Sequence, residues 1–206
     1  MVNLLLKSTL AGIFISIGGI IYLKIGGYFG AFLFSFGLLS IIHYSLPLYT
    51  GKAGFCKYSE DLKRLPIILL GNIIGTFLMG VSIHSIYPEL VEVADKIVNT
   101  RYDSSIISAL FRSILCGLIM TTVVTFARKS KFIPLLIGIP LFILAGFWHS
   151  IADAFYYSVS LNIKIEIVYI YLITIFGNYI GCNLYNFFIY KSIFYKEKEE
   201  SSSNIS

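Results

Sequence analysis

The chain alternates long apolar runs with short polar connections. Six runs stand out, at about 5–23, 26–48, 65–87, 106–127, 132–160 and 167–191. A run of roughly 20 apolar residues is long enough to cross a bilayer as a helix. The pattern therefore predicts an all-α membrane domain of six transmembrane helices over 1–195, then a polar, disordered tail at 196–206. Two of the runs are interrupted. The second ends in "SIIHYSLPLYTGKAG", where Pro47 removes a backbone donor and Thr50 and Gly51 follow. The fifth carries Pro134, Pro140 and Gly146 ahead of His149. Backbone freed at such interruptions is tolerated at membrane depth where it lines protein or a water-filled cavity. Helices 2 and 5 are thus expected to be broken, with their breaks facing a pore.

A second pattern runs across the first. "LKSTLAG" at 6–12 and "FRSILCG" at 111–117 match with an offset of 105, and "GNIIG" at 71–75 matches "GNYIG" at 177–181 with an offset of 106. The chain reads as two halves, about 1–95 and 96–195, of three spans each. Because three is odd, the second half enters the membrane in the opposite sense, which makes an inverted repeat of the kind that builds transport sites near the midplane. The glycines by themselves are explained by close helix packing.

Composition agrees with this. The chain is 57% hydrophobic and 13% charged, with a mean hydropathy of +0.82, whereas a soluble domain carries about a quarter charged residues. Little remains for a soluble domain. The net charge of +5 marks a membrane side, not a nucleic-acid partner. Lys52, Lys57, Lys63 and Arg64 share one loop, Arg128, Lys129 and Lys131 another, and Lys191, Lys196 and Lys198 the tail. The alternate connections hold only Lys24, then Lys96 and Arg101, then Lys164. By the positive-inside rule both termini are cytoplasmic. The N-terminus lacks a small-residue cleavage site ahead of its first run, so that run is expected to be a span, not a signal. Cys56, Cys116 and Cys182 are scattered without metal spacing, and no cofactor is expected.

The fifth run holds His149 and Asp153, four residues apart. An ionisable residue at membrane depth is a functional candidate by default. Imidazole can donate a hydrogen bond or a proton near neutral pH, and an anion in a narrow apolar pore needs such a donor against desolvation. Thr50, beside Gly51 in the break of helix 2, offers a hydroxyl to the same anion. Asp153 lies one turn beyond His149 and can meet it on one face; it can equally face Ser150, Asn178 or an interface. Asn72 and Asn178, in the repeated motif, suit tying the broken ends together.

These residues resemble the formate/nitrite transporter family. "AGFWHSIADAF" is similar to its fifth-helix pattern G-F-E-H-S-[IV]-A-N-x-F, and "LPLYTG" to its second-helix loop G-A-[ED]-L-F-T-[GS]. "GNYIGCNLY" resembles its sixth-helix G-N-x-x-G, and "LCG" at 115–117 its fourth-helix L-C-N. Trp148 stands for Glu, Pro47 for Glu or Asp, Asp153 for Asn and Gly117 for Asn, and the usual N-terminal helix is lacking. The resemblance implies an aquaporin-like fold, a homopentamer with one pore per protomer in the cell membrane, and passage of formate, nitrite, hydrosulfide or similar anions. It implies that Thr50 faces His149, that Leu48 and Tyr49 narrow the pore on the cytoplasmic side and Phe142 on the periplasmic side, and that Lys96 sits at the mouth to attract anions, with Arg101 competing for that role. Trp148 and Asp153 would tune the pore, or Trp148 would block it.

Two other readings come from different classes. A pore for neutral solutes would suit the loss of two acidic motif positions, although no Asn-Pro-Ala occurs. A membrane enzyme or pore-dead scaffold is the third, but His43 and His84 join His149 in no metal or nucleophile pattern.

Overall fold

The computed structural model describes residues 1–56 and 59–203, with side chains placed through residue 188. Lys57, residues 204–206 and the side chains of Lys191, Lys196 and Lys198 fall outside the described residues, and the backbone of 196–203, expected as a disordered tail, continues the last helix. Nine helices make up the described chain, and no strand occurs among the described residues. They are α1 (Val2–Ile25), α2 (Gly27–His43), α3 (Tyr49–Ala53), α4 (Ser59–Ile86), α5 (Pro88–Tyr102), α6 (Ile106–Ala127), α7 (Ile133–Leu144), α8 (Ser150–Ser160) and α9 (Glu166–Ser203). Four are long and apolar enough to cross a membrane: α1, α4, α6 and the Glu166–Phe188 part of α9. The apolar α2 and α7 are shorter.

Both short helices end in the same way. Ser45 and Gly146 adopt positive φ, 53° and 67°. The next amide reaches back five residues, Leu46 to the Ile41 carbonyl and Phe147 to that of Phe142, each at 2.9 Å. This is the Schellman termination, which satisfies carbonyls that a helix end otherwise leaves open. The breaks are therefore set by a left-handed residue at 45 and 146 and not by the prolines. Pro140 lies inside α7, Pro134 in its first turn, and Pro47 two residues past the turn. Each break is followed by an extended residue that opens a new helix, Leu48 (φ −109°, ψ 135°) before α3 and His149 (φ −108°, ψ 113°) before α8.

Close pairing of long helices holds the frame. α1 packs along α4, and α6 along α9. A Cβ at Gly71 would strike the Ser8 side chain and Leu5 carbonyl, and one at Gly177 the Ser113 side chain and Leu110 carbonyl. Gly75 meets the Thr9 carbonyl and Gly181 that of Ile114. Glycine is required at these crossings because backbones touch there. The outer surface is apolar, with Phe36, Leu70, Phe77, Leu141, Leu172 and Phe176 all exposed, while Thr50, Asn72, His149, Asp153 and Asn178 are buried. An apolar outside around a polar inside is the arrangement a lipid solvent selects.

One helix departs from expectation. The connection holding Lys96 and Arg101 is α5, a regular helix started by Pro88 and Glu89. Its buried side is Leu90, Ala94 and Val98, a stripe at four-residue spacing that packs against α8.

Candidate functional site

The two asparagines of the repeated motif grip the residues on either side of each break. The Asn72 amide donates to the carbonyls of Ser8 at 2.8 Å and Pro47 at 3.0 Å, and its oxygen accepts from the Tyr49 amide at 2.8 Å. The Asn178 amide donates to Ser113 at 2.9 Å and Trp148 at 2.8 Å, and its oxygen accepts from the Ser150 amide at 2.8 Å. Leu48 and His149 are thus each held between two bonded neighbours. Every polar atom of both buried amides is used. Arg112 adds to the second grip by donating to the Gly146 carbonyl at 3.1 Å. In the sequence Arg112 is marked only by its recurrence with Lys7 as the basic member of a repeat.

At the centre, His149 Nε2 and Thr50 Oγ1 lie 2.8 Å apart, both buried. Nδ1 accepts the Ala152 amide at 3.2 Å, so the histidine caps α8 with its own ring. With a backbone N–H donating to Nδ1, the proton of the neutral ring belongs on Nε2 and points at Thr50. The Thr50 hydroxyl can then turn its own hydrogen toward a ligand. Cys182 braces this loop, its thiol donating to the Thr50 carbonyl at 3.4 Å.

Two cavities lie on either side of this pair. One, of about 150 Å³, is lined by Tyr22, Arg101, Phe142, His149, Asp153 and Tyr156, among others. The other, of about 130 Å³, is lined by Leu38, Ile41, Leu48, Lys52, Val124 and Arg128, among others. Arg101 precedes α6 and Arg128 caps its end, so the cavities open toward opposite ends of a helix about 33 Å long. The layer between them holds the Thr50–His149 pair, Leu48 and Phe142. Phe142 stacks on the imidazole with ring centres 5.7 Å apart, and Phe34 meets Phe142 edge-on at 6.5 Å.

Several predicted residues fall elsewhere. Tyr49 lines neither cavity: its hydroxyl donates to the Ile175 carbonyl at 3.2 Å, which fixes the ring in the wall beside α9. Trp148 is fully buried against Ala109 and Ile170 and lines neither of these two cavities, while its carbonyl is held by Asn178. Asp153 does not pair with His149. Its Oδ1 instead accepts from Arg101 Nη2 at 3.0 Å and Nε at 3.3 Å. Lys96 is exposed, pairs with Glu92 on its own helix at 3.1 Å, and does not reach the cavity that Arg101 lines. The Arg101 guanidinium also lies 4.8 Å from the centre of the Trp148 ring. Trp148 and Asp153, both departures from the family pattern, therefore meet on one cation.

A membrane-embedded helical bundle with two broken helices and a buried hydroxyl–imidazole pair between opposed cavities belongs to the class of pore-forming transport proteins. The chain is a member of the formate/nitrite transporter family, which it matches over residues 1–192. Two solved structures share its fold. One, described as a pentameric formate channel with formate bound, is 17% identical, covers 93% of this chain and 96% of its own, and superposes with a TM-score of 0.79. Another, an FNT family ion channel, is 18% identical over 89% of this chain and 87% of its own, with a TM-score of 0.76. No curated protein matches the sequence.

Proposed function

We propose that the chain is a protomer of a homopentameric membrane transporter for small monovalent weak-acid anions such as formate, nitrite or hydrosulfide. In this reading α2 with α3, and α7 with α8, act as the two broken spans among six. The halves at about 1–95 and 96–195 form an inverted repeat. The protein sits in the cell membrane with both termini on the cytoplasmic side. The observation that carries the reading is the buried Thr50–His149 pair, 2.8 Å apart, at the junction of the two cavities. With the ring Nε2–H given to Thr50, the rotatable Thr50 hydroxyl is the donor that meets an anion stripped of water. Leu48 and Phe142 narrow the path on either side and keep it free of bulk water. Arg101 at one end and Lys52 with Arg128 at the other attract anions into the apolar path.

The test is flux in proteoliposomes. Vesicles with the protein should release formate, nitrite or hydrosulfide faster than empty vesicles. His149→Asn, whose side chain can still cap α8, should fold and lose most of that rate. Equal leak with and without protein for all three anions removes the reading.

A further inference from the structure

We propose that Asp153 carries the proton that accompanies each anion, by exchanging partners with it at Arg101. This rests on the anion-transport reading above. Arg101 holds only one carboxylate oxygen of Asp153, and the other, Oδ2, is buried without a hydrogen-bond partner among the described residues. Both residues line the cavity that holds His149. The carboxylate is almost fully buried, and the guanidinium keeps a small exposed edge (12%) through which an entering anion reaches it. On its other side the cation is backed by the Trp148 ring at 4.8 Å, which stays in place whichever anion it holds.

The groups around Asp153 leave it little alternative. Tyr102 from α5, Cys116 from α6, Tyr171 from α9, Tyr22 from α1 at the cavity wall, and Tyr156 and Tyr157 from its own helix bring phenols and a thiol, none of them a cation. α4 meets α8 further along, with Gly80 at Ser158 and His84 at Val159. His149 is occupied as a cap acceptor at Nδ1, so adding a proton there would set two donors against each other. Arg101 is thus the cation that compensates Asp153, and a buried carboxylate that loses its partner is left uncompensated.

The exchange balances. At the start Arg101 and Asp153 form a neutral pair. An anion displaces Oδ1 from the guanidinium, and a proton drawn from the bulk solution and relayed through the cavity bonds to the released carboxylate, leaving no hydroxide behind. The products are a neutral Arg101–anion pair and a neutral carboxylic acid. When the anion leaves toward His149, the Asp153 O–H bond breaks, the proton passes to the anion, and Asp153 re-forms its bond to Arg101. One proton moves with each anion, and no net charge crosses.

The experiment uses the full-length protein in proteoliposomes with formate as probe, a trapped pH dye, and potassium–valinomycin to set the potential. Wild type should take up one proton per formate at a rate indifferent to potential. Asp153→Asn, nearly isosteric, should pass formate with severalfold fewer protons and at a rate that follows the potential. An unchanged proton ratio in Asp153→Asn, or potential-driven formate flux without protons in wild type, overturns the exchange while leaving anion transport intact. Wild-type flux no greater than that of empty vesicles overturns the transport reading and the exchange with it. Infrared difference spectra need no folded variant: adding isotopically labelled formate to wild type should raise the C=O band of a protonated carboxylic acid, and its absence overturns the proposal.

Discussion

The two breaks share one backbone frame and differ in the side chain it displays. Leu48 and His149 share the extended backbone, the Schellman turn three residues earlier, and an asparagine that binds the carbonyl before and the amide after. One holds a methyl-tipped wall and the other a hydrogen-bond donor. The frame is therefore indifferent to what it displays. Its partner residue is unequal as well: Thr50, two places after Leu48, crosses to meet His149, while Ile151 stands at the corresponding place after His149. The site is assembled from unlike contributions of two like breaks.

The sharpest way to break the comparison is to cut each grip in turn. Asn72→Ala and Asn178→Ala each leave one carbonyl and one amide at the break unpaired in a dry interior, and take a second donor from a helical carbonyl (Ser8 or Ser113) that keeps its intrahelical bond. At about 1–3 kcal/mol for a buried group left unsatisfied, each should cost at least about 2 kcal/mol, read as a large drop in the thermal midpoint in detergent. If the frames are equivalent the two losses should agree within about 1 kcal/mol. A silent Asn72→Ala would show that only the histidine half needs its clamp.

Replacing the donor while keeping the frame comes next. His149→Leu makes the breaks alike. It loses the α8 cap, worth about 1 kcal/mol, and should still fold. Formate flux should fall to that of empty vesicles, and Leu48→His on this background should not restore it, since no hydroxyl stands opposite. Recovery in the double variant would mean that the halves are interchangeable in chemistry as well as in shape. Thr50→Val keeps shape and removes the hydroxyl. Losing one hydrogen bond of about 1.4 kcal/mol should slow flux about tenfold, with Thr50→Ser near wild type.

Much of this frame was legible in the sequence because repetition is a strong signal. "GNIIG" and "GNYIG" exposed the asparagines, and their bonds to the breaks follow from the amide's two donors and one acceptor. The positions of the breaks were legible, but their cause was not. Proline is a conspicuous mark, whereas the left-handed turn at Ser45 sits on a residue with no letter-level signal for positive φ. The direction of Trp148 was also beyond the letters. It neighbours His149 in sequence, but successive residues at a helix start point to different sides, and it is the packing of its ring on Ala109, Ile170 and the Arg101 guanidinium that shows which.

The smallest expected effect concerns the two cations of α5. Charged residues between two apolar runs read as a solvated connection, so Lys96 and Arg101 looked equally placed. The helical stripe sorts them. Leu90, Ala94 and Val98 face inward, and Arg101, three residues further, continues that face, while Lys96 lies off it. Lys96 accordingly pairs with Glu92 at the surface, at 72% side-chain exposure. An exposed pair of this kind is worth up to about 1 kcal/mol and is screened by salt. Lys96→Gln should therefore leave formate flux within about a factor of two at physiological salt, with the thermal midpoint unmoved. A tenfold loss would mean that a screened surface charge still governs entry and that the cavity face of α5 is not where the anion is first held.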